Sequence, residues 1–154
     1  MIKLVASDLD GTLLHNYQQT VPKEIYDTIK ALHEKGIIFT AASGRQYANI
    51  RRLFAPLGFD IPYIAENGSM CVYKEEILAT GLTPSKTIRH ILDALMEYRK
   101  IYHTGHCILS VKDTYYSDST DERFIDYMEN DMHNIVTYVP DLYAIKEPII
   151  KAAI

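Results

Sequence analysis

The chain has 154 residues, 47% of them hydrophobic and 23% charged, with a net charge of -4. That composition excludes wholesale disorder, collagen-like repeats and low-complexity assembly. The acidic balance lacks the basic footprint of a nucleic-acid binder, and no apolar run approaches the ~18 residues that would suggest a membrane-spanning helix. In chain order, Lys3, Leu4, Val5, Ala6 and Ser7 form a short, mainly apolar run ahead of turn residues, which predicts a strand buried on both faces. Residues 20–35 read as a helix. Pro22 sits near its start, Ile25, Ile29 and Leu32 share a face, and Gly36 is a natural stop. Residues 37–42 read as a second buried strand. Residues 46–57 read as a second helix, with Ile50, Leu53, Phe54 and Leu57 on one side, and residues 63–65 as a third strand. Strands and helices alternating through short connections predict an α/β fold, a partial doubly wound (Rossmann-like) parallel sheet. Residues 70–73 and 76–80 then read as a hairpin turned at Lys74 and Glu75. Gly81, Leu82 and Thr83 read as a hinge, and Ile88, Ile91, Leu92, Leu95 and Met96 as the stripe of a further helix. Residues 107–112 and 114–117 read as a second hairpin, 121–130 as a helix, 135–139 as a strand and 148–154 as a last apolar stretch of strand character. The expected domains are residues 1–82, the sheet core, and 83–154, an α+β unit.

Ligands of a parallel sheet bind beyond the carboxyl ends of its strands. Three polar clusters occupy those positions: Asp8-Leu9-Asp10-Gly11-Thr12, Ser43-Gly44-Arg45 and Glu66-Asn67-Gly68. Asp8 and Asp10 lie two apart, so in extended chain they point the same way, and Gly11 permits a sharp turn after them. One carboxylate suits attack on a phosphoryl group, the other proton transfer to and from the leaving oxygen. Carboxylate and phosphate repel, so this chemistry asks for a divalent cation, with Mg²⁺ the natural choice for oxygen ligands. Ser43 offers a hydroxyl, the loop at Gly44 offers backbone N–H groups, and Arg45 offers a guanidinium for a substrate anion. Each cluster alone has an ordinary reading as a turn, a helix start or a hairpin signal; their joint placement favours chemistry. A calcium loop fails on spacing, because its sixth place from Asp8 holds Leu13 and its twelfth holds Gln19. His103, His106 and Cys107 are too few and too broken by Gly105 to suggest zinc. Asp118, Asp121, Glu122 and Asp126 read as a solvated helix start. Cys71 and Cys107 cannot build a disulfide framework, and the opening residues reach Asp8 too soon for a secretory signal, so a cytoplasmic setting is expected.

The stretch Leu4-Val5-Ala6-Ser7-Asp8-Leu9-Asp10-Gly11-Thr12-Leu13-Leu14, with Ala42-Ser43-Gly44-Arg45 and Glu66-Asn67-Gly68, resembles the haloacid dehalogenase (HAD) superfamily of phosphohydrolases. Within it the pattern is similar to the Cof-type branch, which carries a class IIB cap; the likeness is strong over residues 1–80 and weaker beyond. The resemblance implies Asp8 as nucleophile and Mg²⁺ ligand, and Asp10 as general acid/base offering its backbone carbonyl to Mg²⁺. It implies Ser43, with Gly44 beside it, at the transferred phosphoryl group, and Arg45 and Asn67 in the substrate region. The activity it implies is Mg²⁺-dependent hydrolysis of small phosphorylated metabolites, such as sugar phosphates, through an aspartyl phosphate. The family pattern continues with a Lys after the cap and a Gly-Asp-x-x-Asn/Asp-Asp segment. None of the seven glycines here is followed by Asp, and Lys146 and Lys151 fall within the expected cap. The expectation is therefore an N-terminal piece of a longer enzyme, or a truncated gene product, whose first strand has an open flank that a partner or a second copy would cover. The alternative function is a non-catalytic phosphate-binding or assembly module.

Overall fold

Short apolar runs and amphipathic helices build the first of two units, Met1–Thr80, in a computed structural model that describes residues 1–15 and 18–154. β1 (Leu4–Asp8), β2 (Ile38–Ala42) and β3 (Tyr63–Ala65) run parallel. β4 (Met70–Tyr73) and β5 (Glu76–Thr80) add antiparallel, so the sheet is mixed, in the order β1-β2-β3-β4-β5. Strands β1 to β3 step in one direction, and right-handed crossovers then put α1 (Lys23–Glu34) and α2 (Tyr47–Phe54) on one face. The two helices touch: the Tyr26 hydroxyl donates to the Leu53 carbonyl at 2.6 Å. Phe54 anchors this face, with its ring 5.8 Å from Phe39 of β2 and 6.5 Å from Tyr63 of β3. Burying one such side chain contributes about 1.5–3 kcal/mol.

The helix boundaries follow from proline chemistry. Pro22 stands just outside α1 as its cap, so the helix starts at Lys23, later than the sequence pattern suggests. Pro56 has no N–H with which to continue α2, so Ala55–Leu57 tighten into a 3-10 turn. The β4–β5 hairpin turns at Lys74 and Glu75, both at positive φ (50° and 64°), the handedness that matches strand twist. β1 is an edge strand: among the described residues no strand pairs with its outer side, and Leu4, expected to be buried, is exposed.

The second unit, Gly81–Ile154, carries α3 (Ser85–Tyr102), β6 (Ile108–Ser110), β7 (Tyr115–Ser117), α4 (Glu122–Asp126), β8 (Val136–Tyr138) and β9 (Lys151–Ala153). Its sheet has the order β8-β7-β6-β9, with β9 antiparallel to β6 and β8 parallel to β7. Ile88, Leu92 and Leu95 of α3 pack on Cys107, Leu109, Leu142 and Ile149. The expected helix over residues 121–130 is divided. Asp121 caps α4 by accepting from the Arg123 N–H at 2.9 Å. Tyr127–Asp131 then widen into a π-helical turn, closed by Met132 N–H on the Tyr127 carbonyl at 2.9 Å.

Asp118 is not part of a solvated helix start. Arg99 of α3 reaches it with a fork of 2.5 and 2.9 Å, and the third guanidinium nitrogen donates to the Gly105 carbonyl at 2.9 Å. Arg99, first by hydrogen bond and then by charge, holds the Asp118 carboxyl below its ordinary range, against the opposing effect of burial. A depressed folded-state value means that the stabilisation is full above the unfolded carboxyl value, about 3.9, and fades as pH falls below it. Asp118→Asn is therefore expected to flatten the acid limb of stability against pH, read as urea midpoints from about pH 5 down to about pH 2. An acid limb as steep as that of the wild type would refute the assignment.

Candidate active site

The carboxyl edge of β1 is shaped by one residue pointing the other way. Leu9 is fully buried, so its neighbours Asp8 and Asp10 both face the exposed side. The Leu9 carbonyl accepts from the N–H groups of Thr12, Leu13 and Leu14 at 3.1, 2.9 and 2.8 Å, closing a tight turn. Gly11 stands in that turn at φ 85° with no neighbour near a would-be Cβ, so its requirement is conformational and not steric. The Thr12 hydroxyl donates to Asp8 Oδ2 at 3.2 Å.

The second loop, between β2 and α2, meets the first through Arg45. Its Nη2 donates to Asp10 Oδ1 at 2.7 Å and its Nε to Asp10 Oδ2 at 2.9 Å, a two-pronged fork. Nη1 donates to Gln19 Oε1 at 2.9 Å and Asn49 Oδ1 at 3.2 Å, and Nη2 also to the Gln18 carbonyl at 3.4 Å. The Arg45 side chain is 6% exposed and that of Asp10 52%. The cation is thus buried and its partner carboxylate stands at the rim. Ser43 Oγ accepts from the Arg45 N–H at 3.2 Å, which leaves its own hydroxyl proton to donate.

The third loop is laced to the second by backbone. Asn67 N–H donates to the Ser43 carbonyl and Glu66 N–H to the Arg45 carbonyl, each at 3.2 Å. Glu66, Asn67 and Gly68 all take positive φ (54°, 59° and 90°). Asn tolerates that conformation; for Glu66 it costs about 1–2 kcal/mol. The bend brings Asn67 Oδ1 so close to Gly44 that a Cβ there would lie 2.3 Å from it.

The three clusters that follow the first three strands are therefore joined into one site. The guanidinium of Arg45, expected in the substrate region, has all three nitrogens engaged by Asp10, Gln18, Gln19 and Asn49. Sequence reasoning missed Gln18, Gln19 and Asn49. Asn49 lies four residues after Arg45, but Arg45 precedes α2, so helical spacing gave no signal for it. Gln18 and Gln19 carried none.

An α/β domain with a carboxylate pair at the carboxyl edge of its first parallel strand, locked to the next two loops, defines a narrow class of hydrolase folds. The chain belongs to the haloacid dehalogenase-like hydrolases, whose family model matches residues 5–154. It is similar to phosphoglycolate phosphatase 1 of Saccharolobus solfataricus, 39% identical over 77 residues that make up 49% of this chain and 34% of that protein. It is also similar to the 5-amino-6-(5-phospho-D-ribitylamino)uracil phosphatase of Escherichia coli, 27% identical over 62% of this chain and 35% of that protein. A Streptococcus mutans structure shares the fold at TM-score 0.80 and 22% identity, covering 99% of this chain and 56% of that one. A HAD subclass IIB sugar phosphatase does so at TM-score 0.74 and 23% identity, covering 97% of this chain and 57% of that one. The matches thus span about a third of these two curated relatives and just over half of these two solved chains.

The Gly44 contact is open to test. Gly44→Ala is expected to destabilise the unit by about 1–3 kcal/mol in urea unfolding, because Asn67 has to leave its place. In an Asn67→Ala background the same substitution is expected to be close to neutral. Equal costs in both backgrounds would locate the clash elsewhere.

Proposed function

We propose that this site hydrolyses small phosphomonoesters in two displacements. In the first, Asp8 attacks phosphorus, the P–O bond to the leaving group breaks, and Asp10 gives that oxygen a proton. In the second, Asp10 takes a proton from water, the water oxygen bonds to phosphorus, and the Asp8–phosphorus bond breaks to release inorganic phosphate. Ser43 holds a phosphoryl oxygen through its donated hydroxyl proton, and Asn67 stands beside it to meet the leaving group. One observation carries the reading: two carboxylates on the exposed side of the same strand end, one of them fixed by a buried guanidinium. The phosphatase names of the relatives, phosphoglycolate phosphatase among them, support it.

Mg²⁺ is the cation this reading calls for. The donors are oxygen only, the Asp8 carboxylate and the Asp10 backbone carbonyl, and Mg²⁺ accepts one or two carboxylates while keeping waters and taking substrate phosphate oxygens. When bound it would offset the repulsion between carboxylate and phosphate. Residues 83–154 are read as part of a class IIB-type cap that chooses the leaving group, and residues 1–82 as the N-terminal part of the core.

The test is release of phosphate from p-nitrophenyl phosphate with and without Mg²⁺, beside Asp8→Asn. The expected outcome is Mg²⁺-dependent turnover that falls by ~10³-fold or more in the variant. A folded wild-type chain that binds inorganic phosphate without turnover would move it to the phosphate-binding modules.

A further inference from the structure

Arg45 is the most fully engaged side chain of the site, and the two-displacement reading gives it no task. A guanidinium cannot shed its proton, so once buried it has to be matched by acceptors. Here the match is complete. Its donors run to both Asp10 oxygens, to Gln19 Oε1 and Asn49 Oδ1, and to the Gln18 carbonyl. Those acceptors come from three stretches of chain: the turn after β1, the segment ahead of α1, and α2 itself. A substrate anion would have to displace Asp10 to reach Arg45, trading a bond already formed for a new one. The asymmetry of exposure has the same sense, since the buried partner is the guanidinium and the reachable one is the carboxylate.

Resting on the proposed phosphohydrolase reading, we infer that Arg45 is a positioning residue that holds the Asp10 carboxylate against the leaving-group oxygen and takes no part in binding the substrate phosphate. The planar fork fixes two things at once, the place of Asp10 and the rotation of its carboxylate plane. Oδ1 accepts from two guanidinium nitrogens and Oδ2 principally from one, so Oδ2 is the oxygen with capacity left to carry a proton. Gln19 and Asn49 complete the cation's shell with neutral acceptors, and among the described residues no second carboxylate is bonded to it.

The experiment compares Arg45→Gln and Arg45→Lys with the wild type on two esters. p-Nitrophenyl phosphate has a leaving group that departs without a proton; glycerol phosphate has an alkoxide that needs one. Arg45→Gln is expected to lose about tenfold more kcat on glycerol phosphate than on p-nitrophenyl phosphate, with KM for both held within about twofold. Arg45→Lys, which keeps the charge and loses the fork, is expected to show the same inequality in weaker form. Equal losses on both esters would reduce Arg45 to a structural role, and a raised KM with kcat kept would make it a phosphate ligand; either overturns the inference. If the wild type turns over neither ester, the hydrolase reading fails for this chain and the inference is decided without turnover. The Arg45 Nε–H signal in a proton–nitrogen NMR spectrum is expected to be protected from exchange, unmoved by inorganic phosphate with Mg²⁺, and lost in Asp10→Asn. A signal that shifts with phosphate, or that survives Asp10→Asn, overturns it.

Discussion

A buried cation that cannot be neutralised is the constraint on which the candidate site depends. Arg45 is buried at the start of the second crossover, and its fork onto Asp10 is the side-chain link that ties the turn after β1 to the turn after β2. The backbone bonds from Asn67 and Glu66 then tie the third turn to the second. Parallel strands by themselves set only the spacing of these turns, about 4.8 Å from strand to strand. The direction of Asp10 is set by the link between loops, and those of Asp8 and Ser43 by bonds within their own turns.

Much of this was legible in the residues, for reasons of period. β1, β2 and β3 are short apolar runs, α1 and α2 carry apolar residues at helical spacing, and the hairpin over residues 70–80 turns where the pattern breaks at Lys74 and Glu75. Leu9 between two aspartates is a period-two signal, and it places both carboxylates on one side. What stayed hidden is non-local. Arg45 and Asp10 are 35 residues apart, and nothing in either stretch says that one guanidinium will choose the other. An Arg beside a suspected phosphate site reads most simply as an anion ligand, and only burial shows that its donors are already taken. The left-handed turn at Glu66 was invisible for a different reason: no propensity favours Glu at positive φ, so only surrounding hydrogen bonds can hold it there.

The second unit solves a similar problem with the same residue pair. Arg99 on α3 forks onto Asp118 and closes its third nitrogen on the Gly105 carbonyl. The helix is thereby clamped near its C-terminal end to the segment after β7, while Ile88, Leu92 and Leu95 hold the rest of its length by apolar contact. The difference between the two forks is exposure. The Asp118 side chain is 17% exposed, beside an Arg99 at 23%, so that pair is inward on both sides and reads as architecture. In the first unit the carboxylate alone stands at the rim, and a rim carboxylate held by a buried cation is available for chemistry in a way that Asp118 is not.

Stiffness at the site has an energetic logic. A Glu at positive φ, a tight contact of Asn67 Oδ1 over Gly44, and a fully matched buried cation each cost free energy to form. A fold concerned only with stability would relax them, for example by placing glycine at 66. They persist together on three adjacent loops because their hydrogen bonds support one another: Glu66 bonds the Arg45 carbonyl, the Arg45 N–H bonds Ser43 Oγ, and Asn67 bonds the Ser43 carbonyl. Releasing any one of them loosens the others. On the proposed phosphohydrolase reading, that mutual dependence holds donors and carboxylates in place before a ligand arrives, so that little reorganisation is left for the reaction. Gln19 and Asn49 share in it through the guanidinium of Arg45, from which both accept.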